Sequence, residues 1–253
     1  MTYNSFTYIL LYSLTQGITE FIPVSSSGHL NIIENLFKGA QERNLLFETT
    51  AHLSTLLALL LYLIRFSPLK LNDLFLKNSK LIGISLIPAL FMGMFIKILD
   101  INFLSLKMIA YTSISGAILL FAADKLKGIK IRTKSHLLDF FIAGLFQCLA
   151  FLPGFSRSGS CITAFLLLGH KKEQAIINSL LMSFPIIILS FVSNANDLEF
   201  IKIDLQLIFI FIISFITAYL TLIFFIKYIN KVGFTPYVIY RVILGLSIIY
   251  YLN

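Results

Sequence analysis

The sequence predicts an all-α integral membrane protein with six transmembrane helices plus two re-entrant helix hairpins, arranged as an inverted repeat. Three observations lead there. Of 253 residues, 58% are apolar and only 13% are charged, whereas a soluble domain carries about a quarter charged. Six apolar runs approach the length of about 20 residues that crosses a bilayer. Two more apolar stretches are interrupted midway by Pro, Gly and Ser. A mean hydropathy of +0.89 excludes a secreted disulfide scaffold, a disordered chain and most cytosolic enzymes. The net charge of +8, from twenty Lys and Arg against twelve Asp and Glu, suits loops that face anionic lipid rather than nucleic acid. Cys148 and Cys161 have no metal-ligand spacing and read as small buried side chains. The first basic residue is Lys38, so the N-terminal stretch lacks the charged flank of a signal peptide.

In chain order, Thr49–Ile64, Leu81–Leu99 and Met108–Ala123 form the first three spans. Ala175–Val192, Leu205–Ile226 and Tyr237–Leu252 form the last three. Arg65–Lys80 holds four basic residues and one Asp, and Asp124–His136 holds five and one. Both loops are expected in the cytoplasm. Asn194–Asp204, with Asp197, Glu199 and Asp204 against one Lys, is expected outside. Lys227 and Lys231 return the next loop inside.

Phe6–Leu30 and Phe140–Leu168 do not fit as plain spans. Pro removes a helical hydrogen bond and clashes with the preceding turn. Irregular backbone at membrane depth survives only inside protein or against a wet cavity. Each stretch therefore reads as a re-entrant hairpin with a broken tip.

The chain also repeats. A shift of 131 residues carries Gln16, Ser25, Ser27 and Gly28 onto Gln147, Ser156, Ser158 and Gly159. A shift of 129 carries Ser85, Ala89, Tyr111 and Gly116 onto Ser214, Ala218, Tyr240 and Gly245. One membrane domain thus divides into a first repeat (1–123), a cytoplasmic linker (124–136) and a second repeat (137–253). An odd number of spans per half makes the halves inverted, which places a site at the repeat interface near the midplane.

The first hairpin carries Gln16-Gly-Ile-Thr-Glu20-Phe-Ile-Pro23-Val-Ser25-Ser26-Ser27-Gly28-His29. Gln16 and Glu20 share a helix face at a spacing of four. An ionisable group in an apolar segment marks function by default. The second hairpin carries Pro153-Gly154-Phe155-Ser156-Arg157-Ser158-Gly159-Ser160. A helix restarting there offers free N–H groups and a positive dipole end. Arg157 adds a guanidinium fork that fits phosphate bidentately, and the combination is an anion site. A pairing of Arg157 with Glu20 that only locks the hairpins is the structural alternative. Ser beside His is a nucleophile–base pairing, and Glu20 with Gln16 offers oxygens to a hard cation. Glu48 reads as an outlying acid of the site, a metal ligand or an ordinary interfacial charge. Arg241 reads as a side chain snorkelling to lipid phosphates. His52, His136 and His170 carry no functional signal. The constellation describes phosphoryl transfer from a membrane-soluble phosphate ester.

With these residues in view, the chain resembles the undecaprenyl-diphosphate phosphatase family, the bacitracin-resistance phosphatases. Gln16-x-x-x-Glu20 with Pro23-Val-Ser-Ser-Ser-Gly-His29 is similar to the first family signature, and Pro153-Gly-Phe-Ser-Arg-Ser-Gly159 to the second. Phe146-Gln-Cys-Leu-Ala150 and Ile239-Tyr-Arg241 resemble their surroundings. The likeness spans essentially the whole chain. It implies an enzyme of the bacterial inner membrane that releases phosphate from the C55 isoprenoid diphosphate, recycling the lipid carrier for cell-wall synthesis. It implies a divalent cation, Mg²⁺ or Ca²⁺, and a site open to the outer face. It implies Ser26 as nucleophile with His29 as its partner, or His29 as nucleophile. Glu20 would handle protons or metal, and Gln16 and Glu48 would complete the metal ligands. Arg157, Ser156, Ser158, Ser27 and Gly154 would hold the diphosphate. The expected partners are the lipid diphosphate and membrane lipid, with no nucleic acid; a homodimer is compatible. Gln16 stands where many members have Glu, Cys161 where Thr is usual, and His52 where Gln is usual. Two other classes fit the pattern less well. A transporter or flippase of isoprenoid phosphates has no need of a nucleophile, and a structural membrane subunit leaves Arg157 and Glu20 without a purpose.

Overall fold

The computed structural model describes residues 3–37, 45–66, 71–101, 105–126, 132, 134–194 and 204–252. Much of the acidic loop at Asp197 and Glu199, and of the 124–136 linker, lies outside the described residues. In order, the helices are α1 (Tyr3–Thr19), α2 (Ser26–Leu36), α3 (Leu45–Phe66), α4 (Leu71–Ile98) and α5 (Leu106–Lys125). Then follow α6 (Leu137–Gln147), α7 (Arg157–Leu167), α8 (Lys172–Asn194), α9 (Leu205–Val232) and α10 (Thr235–Leu252). A single 3-10 turn, Cys148–Phe151, extends α6. Among the described residues there is no strand, only one isolated bridge between Arg132 and His170. Among the described residues, six helices, α3, α4, α5, α8, α9 and α10, are long and apolar enough to cross a membrane. The protein is thus an all-α, multi-pass membrane protein. Each long helix runs beyond the apolar run that predicts it, because polar ends do not stop a helix. Ser105 and Asp204 cap α5 and α9 through the amides of Met108 and Leu207, and Gly233 at φ 71° closes α9.

The long helices pack through small residues, the usual means of close approach in lipid. A Cβ at Gly17 would fall 1.8 Å from Thr217 Oγ1, so α1 lies directly on α9. The repeat mates Gly116 and Gly245 sit where α5 and α10 cross. A Cβ at Gly245 would lie 2.8 Å from Ala110 O, and one at Gly116 would lie 2.1 Å from an Arg241 nitrogen. The largest apolar cluster joins α3, α7, α8 and α9 through Leu59, Phe165, Leu180 and Leu222.

Between these helices stand two short pairs, α1–α2 and α6–α7, matching the two broken apolar stretches. Ser25 caps α2 by accepting from Gly28 N at 3.3 Å, and Ser156 caps α7 by accepting from Gly159 N at 3.1 Å. Both serines hold left-handed backbone, φ 74° and 71°. Such a conformation costs about 1–3 kcal/mol in a residue with a Cβ and persists only where the surroundings impose it. The two strained caps are 131 residues apart, the same shift that relates the motifs.

On one face of the bundle, Asp139 at the start of α6 is fully buried. It accepts from His136 N at 2.9 Å, from Arg132 and from His170 Nε2 at 3.2 Å. The histidine that carries no signal in the sequence thus anchors the α7–α8 turn. Burial holds the His170 imidazole below its ordinary pKa, against the pull of Asp139. The folded state therefore favours neutral His170, while the unfolded chain takes up a proton near pH 6.5. Stability is present above that value and is lost as pH falls below it. Thermal unfolding in detergent at pH 7.5 and 5.5 is expected to show the decline, and His170→Gln to flatten it.

Candidate active site

The tips of the two short pairs touch each other. A Cβ on Gly28 would lie 3.3 Å from Gly154 Cα. Gly154 takes φ 94°, and a Cβ there would meet Thr112 Oγ1 at 2.4 Å. Glycine is therefore required at this tip for both conformation and space. Ser158 Oγ donates to Ile22 O at 2.9 Å, tying the second tip to the first.

The second tie is Arg241. The sequence suggests a side chain reaching lipid phosphates; instead Arg241 is the largest fully buried residue. Its Nη1 donates to Pro23 O at 3.3 Å, and its Nη2 to Gly154 O and Phe155 O at 3.1 and 2.8 Å. One guanidinium thus holds the carbonyls of both tips. The broken turns leave carbonyls that no helix satisfies, and in lipid each must find a donor. Gly116 gives the fork its space. Gly116→Val should push Arg241 off the tips and lower the detergent melting temperature, since overpacking of this kind costs about 1–3 kcal/mol.

At the junction lies Glu20, whose side chain is almost fully buried. Its Oε1 accepts from Arg157 Nη2 at 2.9 Å. Its Oε2 accepts from Ser26 Oγ at 2.8 Å and from Gln16 Nε2 at 2.9 Å. The structural alternative for Arg157, a pairing with Glu20, is therefore present, but it leaves half of the guanidinium unused. Arg157 Nη1 is buried without a hydrogen-bond partner, and so is Gln16 Oε1. One is a donor suited to an anion, the other an acceptor suited to a cation. His52 joins the group: its Nδ1 lies 3.0 Å from Gln16 Nε2 and 3.7 Å from Glu20. The sequence gives His52 no role. What could have found it is its spacing of four from Glu48 on α3, a helix otherwise poor in ionisable groups.

His29 does not face Ser26. Its Nδ1 is 2.7 Å from Ser25 O, so that nitrogen carries the proton and donates. Its Nε2 then accepts from the Tyr240 hydroxyl at 2.6 Å, with the two rings stacked 7° from parallel. The structure thus puts Ser26 on Glu20, and His29 on Tyr240, which the sequence marks only as the repeat mate of Tyr111 and as a neighbour of Arg241. Ser156 and Ser158 are buried, and their hydroxyls bond within the tips. Ser27 is exposed. Glu48 lies one turn before His52 on α3, and the two line a narrow cleft with Ser190.

Electrostatically the junction is prepared for negative charge. The N-termini of α2 and α7 converge on it, and the amides of Ser26, Ser27, Arg157 and Ser158 have no intrahelical partner. The Arg157 guanidinium faces the Glu20 carboxylate, while Arg241 is held by the carbonyls of the two tips. Among the described residues, no three His, Cys, Asp or Glu side chains gather as a metal cage. The oxygens of Glu20 and Gln16 fit a hard cation that takes its remaining ligands from water and phosphate.

This arrangement has relatives. The family model described as bacitracin resistance protein BacA matches residues 9–247. An undecaprenyl-diphosphatase of Alcanivorax borkumensis is 34% identical, covering 96% of this chain and 97% of its own. One from Roseobacter denitrificans is 35% identical over 96% and 97%. One from Pelagibacter ubique is 36% identical over 94% of each. With its two signature tips joined in the fold and the match running almost end to end, the chain belongs to the BacA bacitracin-resistance family.

Proposed function

We propose that the protein hydrolyses undecaprenyl diphosphate to undecaprenyl phosphate and inorganic phosphate, recycling the lipid carrier for cell-wall synthesis. The observation that carries this reading is the half-used Arg157 fork beside a Ser26 hydroxyl already bonded to Glu20. A pure carrier of lipid phosphates has no use for a serine held on a base, so the transporter reading is not favoured.

The terminal phosphate enters the junction and takes up Arg157 Nη1, the first-turn amides of α2 and α7, and Ser27. Glu20 accepts the Ser26 proton as Oγ attacks phosphorus. The bond from phosphorus to the bridging oxygen breaks, and undecaprenyl phosphate leaves with the electron pair. Water then attacks the phosphoserine, giving inorganic phosphate and restoring the hydroxyl. Positioning and electrostatic stabilisation supply most of the rate in such transfers. Glu20 and Gln16, with Glu48 beyond His52, would hold a divalent cation, Mg²⁺ or Ca²⁺, which neutralises phosphate charge when bound. Arg241, Ser156, Ser158 and Gly154 build the junction rather than touch the substrate. In this reading the short helix pairs are re-entrant, and the site faces the outer side of the bacterial inner membrane.

The test is phosphate release from undecaprenyl diphosphate with Mg²⁺ and then EDTA, followed by acid quenching of the enzyme during turnover. Loss of release with EDTA supports the cation, and full activity removes it. An acid-stable, base-labile phosphoenzyme that disappears in Ser26→Ala supports the serine. An acid-labile adduct lost in His29→Ala would move the nucleophile to His29.

A further inference from the structure

The two halves of the protein are not equally closed. In the second half, α7 packs along α5; in the first, its repeat mate α2 hardly touches α10. The two helices meet where His29 stacks on Tyr240. Beyond that contact they leave a groove of about 460 Å³, lined by Ile32, Leu36, Leu244, Ile248 and Tyr251, with Leu106 of α5 as its floor. Ile32 and Leu36 follow His29 at helical spacings of three and seven. Leu244, Ile248 and Tyr251 follow Tyr240 at four, eight and eleven. Each stripe is one helix face. Asn35 and Ser247 are the only other residues lining it among the described residues.

We propose that this groove holds the isoprene units of the substrate's tail that follow the first, the first one lying against His29 and Tyr240. The assignment rests on the lipid-diphosphatase reading and extends it to the part of the site that selects chain length. Continuity argues for this occupant. The groove begins one helical turn beyond His29 and Tyr240, with His29 itself one turn from Ser26, and both Ser27 and Tyr240 are exposed. A diphosphate seated on Arg157 therefore has an apolar channel leading away from it. The rest of a C55 chain exceeds this volume and lies in the bilayer. A second apolar groove, lined by Pro88, Phe91, Phe95, Leu149 and Phe151, is of similar size. It ends on Leu152, behind the tip whose serine hydroxyls are buried, and offers no such continuity.

Purified protein in detergent tests the assignment with three substrates: undecaprenyl, farnesyl and dimethylallyl diphosphate. Leu244→Trp and Ile32→Trp are expected to lower kcat/KM for the two long chains by about tenfold or more, one step of lost binding free energy. Dimethylallyl diphosphate should change less than twofold. Phe91→Trp, in the other groove, should leave all three unchanged. An equal fall for all three substrates, or a loss of the long chains only in Phe91→Trp, would overturn the groove. Absence of phosphate release from any substrate by the wild type would instead overturn the diphosphatase reading beneath it. Should the Trp variants not fold, farnesyl diphosphate bearing a terminal benzophenone, used on the wild type, should label peptides of α2 and α10. Labelling confined to α4 or α6 would contradict the assignment.

Discussion

Replacing Glu20 with Gln is expected to lower kcat for phosphate release by about 10²–10⁴-fold, the range a positioned general base contributes. The substitution keeps the shape of the side chain and removes its charge. Ser26 Oγ, which donates to Glu20 Oε2 at 2.8 Å, then has no group able to accept its proton. Arg157 loses its carboxylate partner but keeps its place at the start of α7, so the substrate should still bind. The signature is therefore a fall in kcat with KM changed much less. Ser26→Ala should show the same signature, and the double variant should be little worse than either single one, because the two groups act as a unit. Full additivity of the two losses would mean that Glu20 does not serve Ser26.

Arg157→Lys is expected to lower kcat/KM by about 10²–10³-fold, the scale of losing one preorganised donor to developing charge. The guanidinium spans two tasks that one ammonium cannot. Nη2 holds Glu20 at 2.9 Å, while Nη1 is buried without a partner. Lysine presents a compact charge that satisfies one contact at a time. The carboxylate is the nearer partner and should capture it, leaving the phosphate without its fork. Steady-state kinetics of the variant, at matched melting temperature, check this. Turnover near wild type would make Arg157 a hairpin lock and nothing more.

The architecture was largely legible in the sequence, because lipid forces apolar residues into long uninterrupted runs. The breaks were legible too, though not through proline alone. Pro88 and Pro185 lie inside α4 and α8, which remain helical. The chain breaks where Pro is joined by serines, and at the second tip also by Gly154, residues that supply caps or left-handed backbone. The 131-residue shift foretold that Ser25 and Ser156 occupy equivalent places, and both turn out to be strained caps. Glu20, Ser26 and Arg157 were visible as polar residues out of place in apolar segments, and they converge. Less was legible of contacts between distant helices. Tyr240 and Arg241 are neighbours on α10, yet one faces His29 and the other is buried against both tips. Nothing in their spacing tells a staple from a snorkelling side chain, since that depends on where two broken turns leave their carbonyls. His52 escaped notice because its partners, Gln16 and Glu20, lie on another helix. Ser156 and Ser158 have the composition of a phosphate site, but burial commits their hydroxyls to the tips.

The most direct test is simultaneous measurement of inorganic phosphate and undecaprenyl phosphate from undecaprenyl diphosphate, using the purified protein in detergent, where no gradient exists. Equal amounts of the two products are expected from the wild type, and almost none from Glu20→Gln. A folded wild-type protein that releases neither product, yet moves a lipid phosphate across vesicles, would contradict the diphosphatase reading.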